Sequence, residues 1–174
     1  NGSSDACGIA SLSLSQTAFV CAEVGNNPET LTVTDVNGNV STCSTIVIVR
    51  DEVAPIALCQ DVTVQLNAAG TGTTDAVLVN NGSSDACGVA SLVLSQTAFD
   101  CDNIATGTDP APVVTLTVTD VNGNASTCTA TVIVEDHVAP QAMCQNVYVY
   151  LDDAGFGSTV ADSVNNGSTD ACGI

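Results

Sequence analysis

One octapeptide is written three times in this chain: NGSSDACG from Asn1, NGSSDACG from Asn81 and NGSTDACG from Asn166. The spacing between starts is nearly constant, and a period of that length is one small domain. The sequence therefore predicts a linear array rather than a single globule. Residues 54–136 hold one complete repeat, residues 1–53 match its back half, and residues 137–174 match its front half. The chain opens and stops inside repeats and carries no leader, initiator Met or bilayer-length apolar run. It is therefore expected to be a segment of a longer exported polypeptide.

Within the complete repeat, Val62, Val64 and Leu66 alternate with Asp61, Thr63 and Gln65, the period of a half-buried strand. NAAGTG (67–72) is turn chemistry, and TTDAVLV (73–79) reads as a second strand. A polar loop (80–88) leads to a third strand, VASLVLS (89–95), with TAFDC (97–101) expected to run back beside it. Residues 102–112 read as loop. VVTLTVT (113–119) and STCTATVIV (126–134) flank DVNGN (120–124), a hairpin with Gly and Asn where positive φ is needed. No segment has a helical period. Six or seven short strands in this one repeat predict an all-β fold of tandem immunoglobulin-like β-sandwich repeats. The hydrophobic residues, 45% of the chain with only 3% aromatics, are mostly Val, Ala, Leu and Ile, which suits thin sandwiches.

The order AP-x-x-x-C-x-x-V-x-V, D-x-C-G, T-x-T-D-x-x-G-N-x-x-x-C and V-x-D-x-x-AP resembles HYR-type immunoglobulin-like repeats. More narrowly, it resembles the tandem repeats of Bacteroidetes extracellular adhesin and filament proteins. The resemblance spans the whole chain and implies export to the cell surface, typically by the type IX route, and a role as stalk, adhesin or fibre. The LDxNGxG turn of such repeats departs here to LNAAGTG and LDDAGFG, so no metal is assigned at that turn.

Nine cysteines without a CxxC pair, and a single histidine, His137, read as disulfides in an oxidising compartment rather than zinc or redox chemistry. Four cysteines per repeat allow three connectivities. First and last strands are neighbours in a sandwich of this kind, which favours Cys59–Cys128. A hairpin centred on Leu94 and Ser95 favours Cys87–Cys101. The same pattern predicts Cys7–Cys21 and leaves Cys43, Cys144 and Cys172 unpaired within the chain.

Nineteen acids face one base, Arg50, for a net charge of −18. Nucleic acid and anionic membrane are excluded as partners, because both require Lys and Arg. Strand directions predict that the linker (Asp51, Glu52), the octapeptide loop (Asp85) and the turn (Asp120, Asn122, Asn124) converge at one pole between repeats. Oxygens from three segments suit Ca²⁺. The same Asp and Asn residues also suit plain turn chemistry. The equivalent positions are Asp5, Asp35, Asn37 and Asn39 in the first copy, and Asp136 and Asp170 in the last. There His137 replaces Glu52, and a neutral imidazole is a poor calcium ligand.

Asn1, Asn39, Asn81, Asn124 and Asn166 begin N-x-S sequons, and Asp162-Ser163-Val164 resembles a short O-glycosylation motif, with Ser163 as acceptor. Tyr148 and Tyr150 alternate with core positions and face outward, as a lateral contact between fibres or as an ordinary strand face. Lysine is absent, so Lys–Asn isopeptide bonds cannot form. The expected function is a structural repeat of an extracellular adhesin or fibre, disulfide-stapled and stiffened by Ca²⁺ at domain junctions. Its expected partners are further copies of the same repeat, head to tail. The alternative is a carbohydrate-binding accessory module, which the absence of Trp disfavours. No Ser/His/Asp set is present, so no enzyme activity is expected.

Overall fold

A computed structural model describes residues 2–173. Among the described residues the structure is all-β apart from two single-turn α-helices and two 3-10 turns. In the first copy, β1 (Ile9–Leu14), β2 (Gly25–Asp35) and β3 (Val40–Val49) form an antiparallel sheet in the order β1-β2-β3. The complete repeat supplies β4 (Val62–Gln65), β5 (Thr71–Thr73), α1 (Ala76–Val79), β6 (Val89–Leu94), β7 (Ala98–Asp100), β8 (Val113–Asp120) and β9 (Ala125–Glu135). Its strands form a four-stranded sheet, β4-β9-β8-β6, and a two-stranded sheet, β5-β7. In the last copy, α2 spans Ala161–Val164.

Contacts gather the chain into two compact units. One holds the residues up to Pro55 with Ser84–Ala90 and Thr119–Ala125. The other holds Ile56–Ser83, Ser91–Val118 and the residues from Ser126 onward. The sequence period and the compact units therefore differ: the octapeptide loop and the DVNGN turn of the complete repeat pack with the first copy.

The core of the second unit follows from strand alternation. On β8, Val114, Leu116 and Val118 are fully buried, and Val64, Leu66, Phe99, Val132 and Val134 are buried as well. Burying one such side chain contributes about 2 kcal/mol. The turn before β5 and β5 itself each need a glycine, for different reasons. Gly70 has φ +72°, and a Cβ on Gly72 would lie 2.5 Å from Val64 Cγ1. The last copy repeats both features, with φ +81° at Gly155 and 2.6 Å from a Gly157 Cβ to Val149 Cγ1.

Two local expectations are corrected. Residues 73–79 do not form a strand. Asp75 accepts hydrogen bonds from Val77 N (2.9 Å) and Leu78 N (3.0 Å), which starts α1 after the short β5. Nor does 97–101 run back beside 89–95. β6 lies against β8, with Ser95 N donating to Thr115 O at 3.0 Å, while β7 crosses to the other sheet and pairs with β5, Gly72 opposite Phe99. Phe99 is buried there, and removing that ring from water fixes the crossing.

That crossing decides the disulfides. Cys59–Cys128 forms as expected, with Cα atoms 5.7 Å apart, because β4 runs parallel to β9. The Cys87–Cys101 and Cys7–Cys21 pairings are overturned. Cys87 pairs with Cys21 (Cα–Cα 5.2 Å) and Cys101 with Cys172 (5.1 Å). The 3-10 turns Cys21–Glu23 and Cys101–Asn103 present the first cysteine of each bridge, and the octapeptide of the following copy presents the second. Cys43 and Cys144 are free as expected. Cys172, expected free, is bonded, and Cys7 is free in its place. Such bridges belong to a non-reducing environment. Among the described residues, no helix is long and apolar enough to cross a membrane.

Candidate cation site at the acidic turn

The D-x-N-G-N turn is built by its first Asp. Asp120 Oδ1 accepts from Asn122 N (2.9 Å) and Asn124 N (2.8 Å), and Oδ2 accepts from Asn124 Nδ2 (2.8 Å). Asp120 is only 2% exposed. Burial acts to raise its pKa, but hydrogen bonds from the Asn124 side chain and from the turn's backbone N–H groups outweigh burial and hold the carboxyl below its ordinary value. Asp35 makes the same turn with Asn37 and Asn39 in the first copy. There the Asn39 side chain, followed by its backbone N–H, lowers the carboxyl pKa. Asp120 and Asp35 thus hold the turn, and their oxygens are engaged.

Asn124 ties this turn to the linker. Its Nδ2 also points at Asp51 O (3.1 Å) and Val53 O (3.3 Å). Around that tie, two side-chain oxygens are buried without a hydrogen-bond donor: Asp51 Oδ2 and Asn122 Oδ1. Leaving a buried acceptor unpaired costs about 1–3 kcal/mol. Asp51 and Asp85 carboxylate oxygens and Cys87 Sγ lie within 4.8 Å of one another. Asp85 is aimed by its own loop, with Oδ1 accepting from Cys87 N (2.7 Å) and Gly88 N (3.1 Å). Cys87 is bonded to Cys21, so its sulfur is no thiolate; the bridge holds the loop in place.

The charge at this cluster is uncompensated. Arg50, the chain's only Lys or Arg, points to Glu52 at 3.7 Å, and both side chains are exposed. Glu52 is therefore occupied outside the cluster. The donors left facing one another are hard oxygens, the class that Ca²⁺ takes and Zn²⁺ does not favour.

The pairing recurs one repeat later. Asp136, Asp170 and Cys172 also lie within 4.8 Å of one another, with Asp136 accepting from Val138 N (2.9 Å) and Asp170 from Cys172 N (2.8 Å). Among the described residues, these are the two such clusters. Asp5 accepts from Cys7 N and lines a surface pocket with Asp35 and Asn39 but belongs to neither cluster, and Asn37 and Asn39 remain exposed turn residues. His137 is exposed, its Nε2 3.7 Å from Glu135.

The sequon serines have a structural use. Ser83 Oγ accepts from Leu58 N (2.9 Å) and donates to Leu58 O (3.2 Å), and Ser168 does the same with Met143. Asn81 and Asn166 are exposed, as is Ser163. The amide nitrogens of Asn39 and Asn124 are committed to their turns, and Asn1 lies outside the described residues. Tyr148 and Tyr150 are exposed, but so are Val147, Val149 and Leu151, which were expected to face a core, and residues 146–151 form no strand. Compared with protein-family models and with curated proteins, the chain matches no family model and no curated sequence.

Proposed function

We propose that the chain is a stretch of tandem immunoglobulin-like repeats of the HYR type that forms the load-bearing shaft of an extracellular adhesin or fibre. Ca²⁺ held by Asp51, Asp85 and Asn122, and by Asp136 and Asp170 one repeat on, stiffens it. The repeats themselves are its partners, and the cell surface is its location.

The observation that carries this reading is the pair of bridges that cross from one sequence copy to the next, Cys21–Cys87 and Cys101–Cys172. A bridge inside one repeat stabilises that repeat alone. A bridge to the next copy makes the array covalently continuous without the intervening polypeptide. Tension entering at Cys21 passes to Cys87, follows the short segment 87–101 to Cys101, and leaves at Cys172. Most of each repeat therefore lies off the force path, and its fold carries little of the load. The orphaned oxygens of Asp51 and Asn122 support the calcium component.

Electron microscopy of native material, with peptide mapping under non-reducing conditions, tests the reading. Thin unbranched filaments containing Cys21–Cys87 and Cys101–Cys172 peptides are expected. Because the chain has one Arg and no Lys, Glu-C or pepsin replaces trypsin in the mapping. Globular particles with bridges confined to single repeats would refute it.

A further inference from the structure

We propose that each bridge between copies carries an electrostatic guard: two aspartates beside one of its sulfurs turn away anionic thiols, so that the bridge exchanges preferentially with cationic ones. At the first junction, the Asp51 and Asp85 carboxylates and Cys87 Sγ lie within 4.8 Å of one another; at the second, Asp136, Asp170 and Cys172 Sγ do the same. Each of those sulfurs belongs to a bridge that joins one copy to the next, Cys21–Cys87 or Cys101–Cys172. Cys59–Cys128, inside one repeat, belongs to neither cluster. The guard needs neither a fibre nor a bound cation, and it acts when no cation sits between the carboxylates.

The backbone holds the acids at the sulfur. Asp85 Oδ1 accepts from Cys87 N (2.7 Å) and Gly88 N (3.1 Å), and Asp51 Oδ1 accepts from Val53 N (3.1 Å). Asp170 and Asp136 do likewise with Cys172 N (2.8 Å) and Val138 N (2.9 Å). Arg50, the chain's only Lys or Arg, is spent on Glu52 and leaves the first pair uncompensated. The third bridge is set differently. Asp61, two residues from Cys59, is turned to Thr131 N at 2.6 Å.

Reduction of a bridge by thiols is a two-step exchange. A thiolate attacks one sulfur, the S–S bond breaks, and the other cysteine leaves as a thiolate that takes up a proton. A second thiolate attacks the mixed disulfide and releases the first cysteine. The two reductant thiols depart joined to each other, having supplied the two electrons. Attack at Cys87 Sγ brings the incoming charge up to both carboxylates. Attack at Cys21 Sγ makes Cys87 the leaving group, and its charge develops beside the same pair. Both routes are slowed for every thiolate. A further negative charge on the reductant slows the attack at Cys87 again, and a positive one offsets the repulsion.

The size of the selectivity follows from Coulomb's law. Exchanging an ammonium for a sulfonate on the reductant, about 8 Å from two carboxylates, changes the rate about 30-fold in unscreened water and about 4-fold at physiological ionic strength. The chain's net charge of −18 acts on all three bridges, so Cys59–Cys128 serves as the internal reference.

The test uses the full oxidised chain, with the exposed thiols of Cys7, Cys43 and Cys144 alkylated first and EDTA present to keep cations off the carboxylates. Cysteamine, 2-mercaptoethanol and 2-mercaptoethanesulfonate are supplied at equal thiolate concentration. Differential alkylation with peptide mapping gives the initial opening rate of each bridge. At Cys21–Cys87 and Cys101–Cys172, the ratio of cysteamine rate to sulfonate rate should exceed that at Cys59–Cys128 by about 4-fold at physiological salt, rising toward about 30-fold as salt is removed. Asp51→Asn with Asp85→Asn keeps the oxygens that accept from Val53, Cys87 and Gly88 and removes the charge. It should bring Cys21–Cys87 alone down to the reference ratio and leave Cys101–Cys172 selective. A loop merely loosened by the substitutions speeds all three thiols alike and does not move the ratio. Equal ratios at all three bridges of the parent chain, or a double variant still selective at Cys21–Cys87, overturn the proposal.

Discussion

Calcium removal is the perturbation whose size the structure allows to be worked out. The proposed site would draw its oxygens from Asp51, Asp85 and Asn122, and Asp51 Oδ2 and Asn122 Oδ1 are buried without donors. Extracellular modules of this donor class bind Ca²⁺ with Kd of about 10⁻⁴ to 10⁻³ M. At about 10 mM Ca²⁺, binding to the folded state alone contributes about 1.4–2.7 kcal/mol. Unfolding entropy is about 2.1 cal/mol/K per residue. If the first compact unit, roughly 70 residues, melts alone, its Tm rises by about 10–19 °C; if the chain melts as one, by about 4–7 °C. Scanning calorimetry with calcium chloride at that concentration against EDTA, at matched ionic strength, reads this directly. Matching is necessary because a chain of net charge −18 gains stability from any added salt. The double substitution Asp51→Asn with Asp85→Asn should lose most of the shift. Without metal, it should melt no lower than the parent, because the paired negative charges are gone. A wild-type shift below about 1 °C, or a full shift retained in the double variant, refutes the argument.

Other expectations follow from single residues. Leu116→Ala removes a fully buried side chain and should cost about 2–5 kcal/mol, read from urea midpoints. Leu31→Ala, at the same position of the first copy but half-exposed, should cost clearly less. Asp35 is held below its ordinary pKa by Asn39. Its contribution is therefore fully present above about pH 4 and is lost as pH falls through the lower folded value. Asn39→Ala should lower stability at neutral pH and shrink the loss between about pH 4 and pH 2, as measured by denaturant titration at each pH.

Different questions are legible in the sequence to different degrees. Alternation identifies β4, β8 and β9 and their inward residues, because period 2 reports which face a side chain takes. It does not report which sheet a strand joins, so the crossing of β7 to β5 is not legible, and the Cys87–Cys101 pairing fails with it. Asp75 before Ala76 is a capping signal, but the Val-rich run after it reads as strand by propensity. The meeting of Asp51 with Asp85 is legible from strand direction. The division of labour in DVNGN is not: Asp120, Asn122 and Asn124 are all turn formers, and only the fold shows that Asp120 and Asn124 are spent on the turn while Asn122 Oδ1 is left over. Bridges between copies escape the sequence because the four cysteines of one repeat can equally well pair among themselves.

The continuity of the force path is tested most directly by pulling the oxidised chain by its ends. With Cys21–Cys87 and Cys101–Cys172 closed, the taut path consists of the segments 1–21, 87–101 and 172–174. At about 3.3–3.6 Å per residue that is about 130 Å, against about 600 Å after reduction. Single-molecule extension should therefore stop at about 130 Å until a reductant is added. An oxidised chain that lengthens to about 300 Å, the reach left by bridges confined within repeats, would contradict the account.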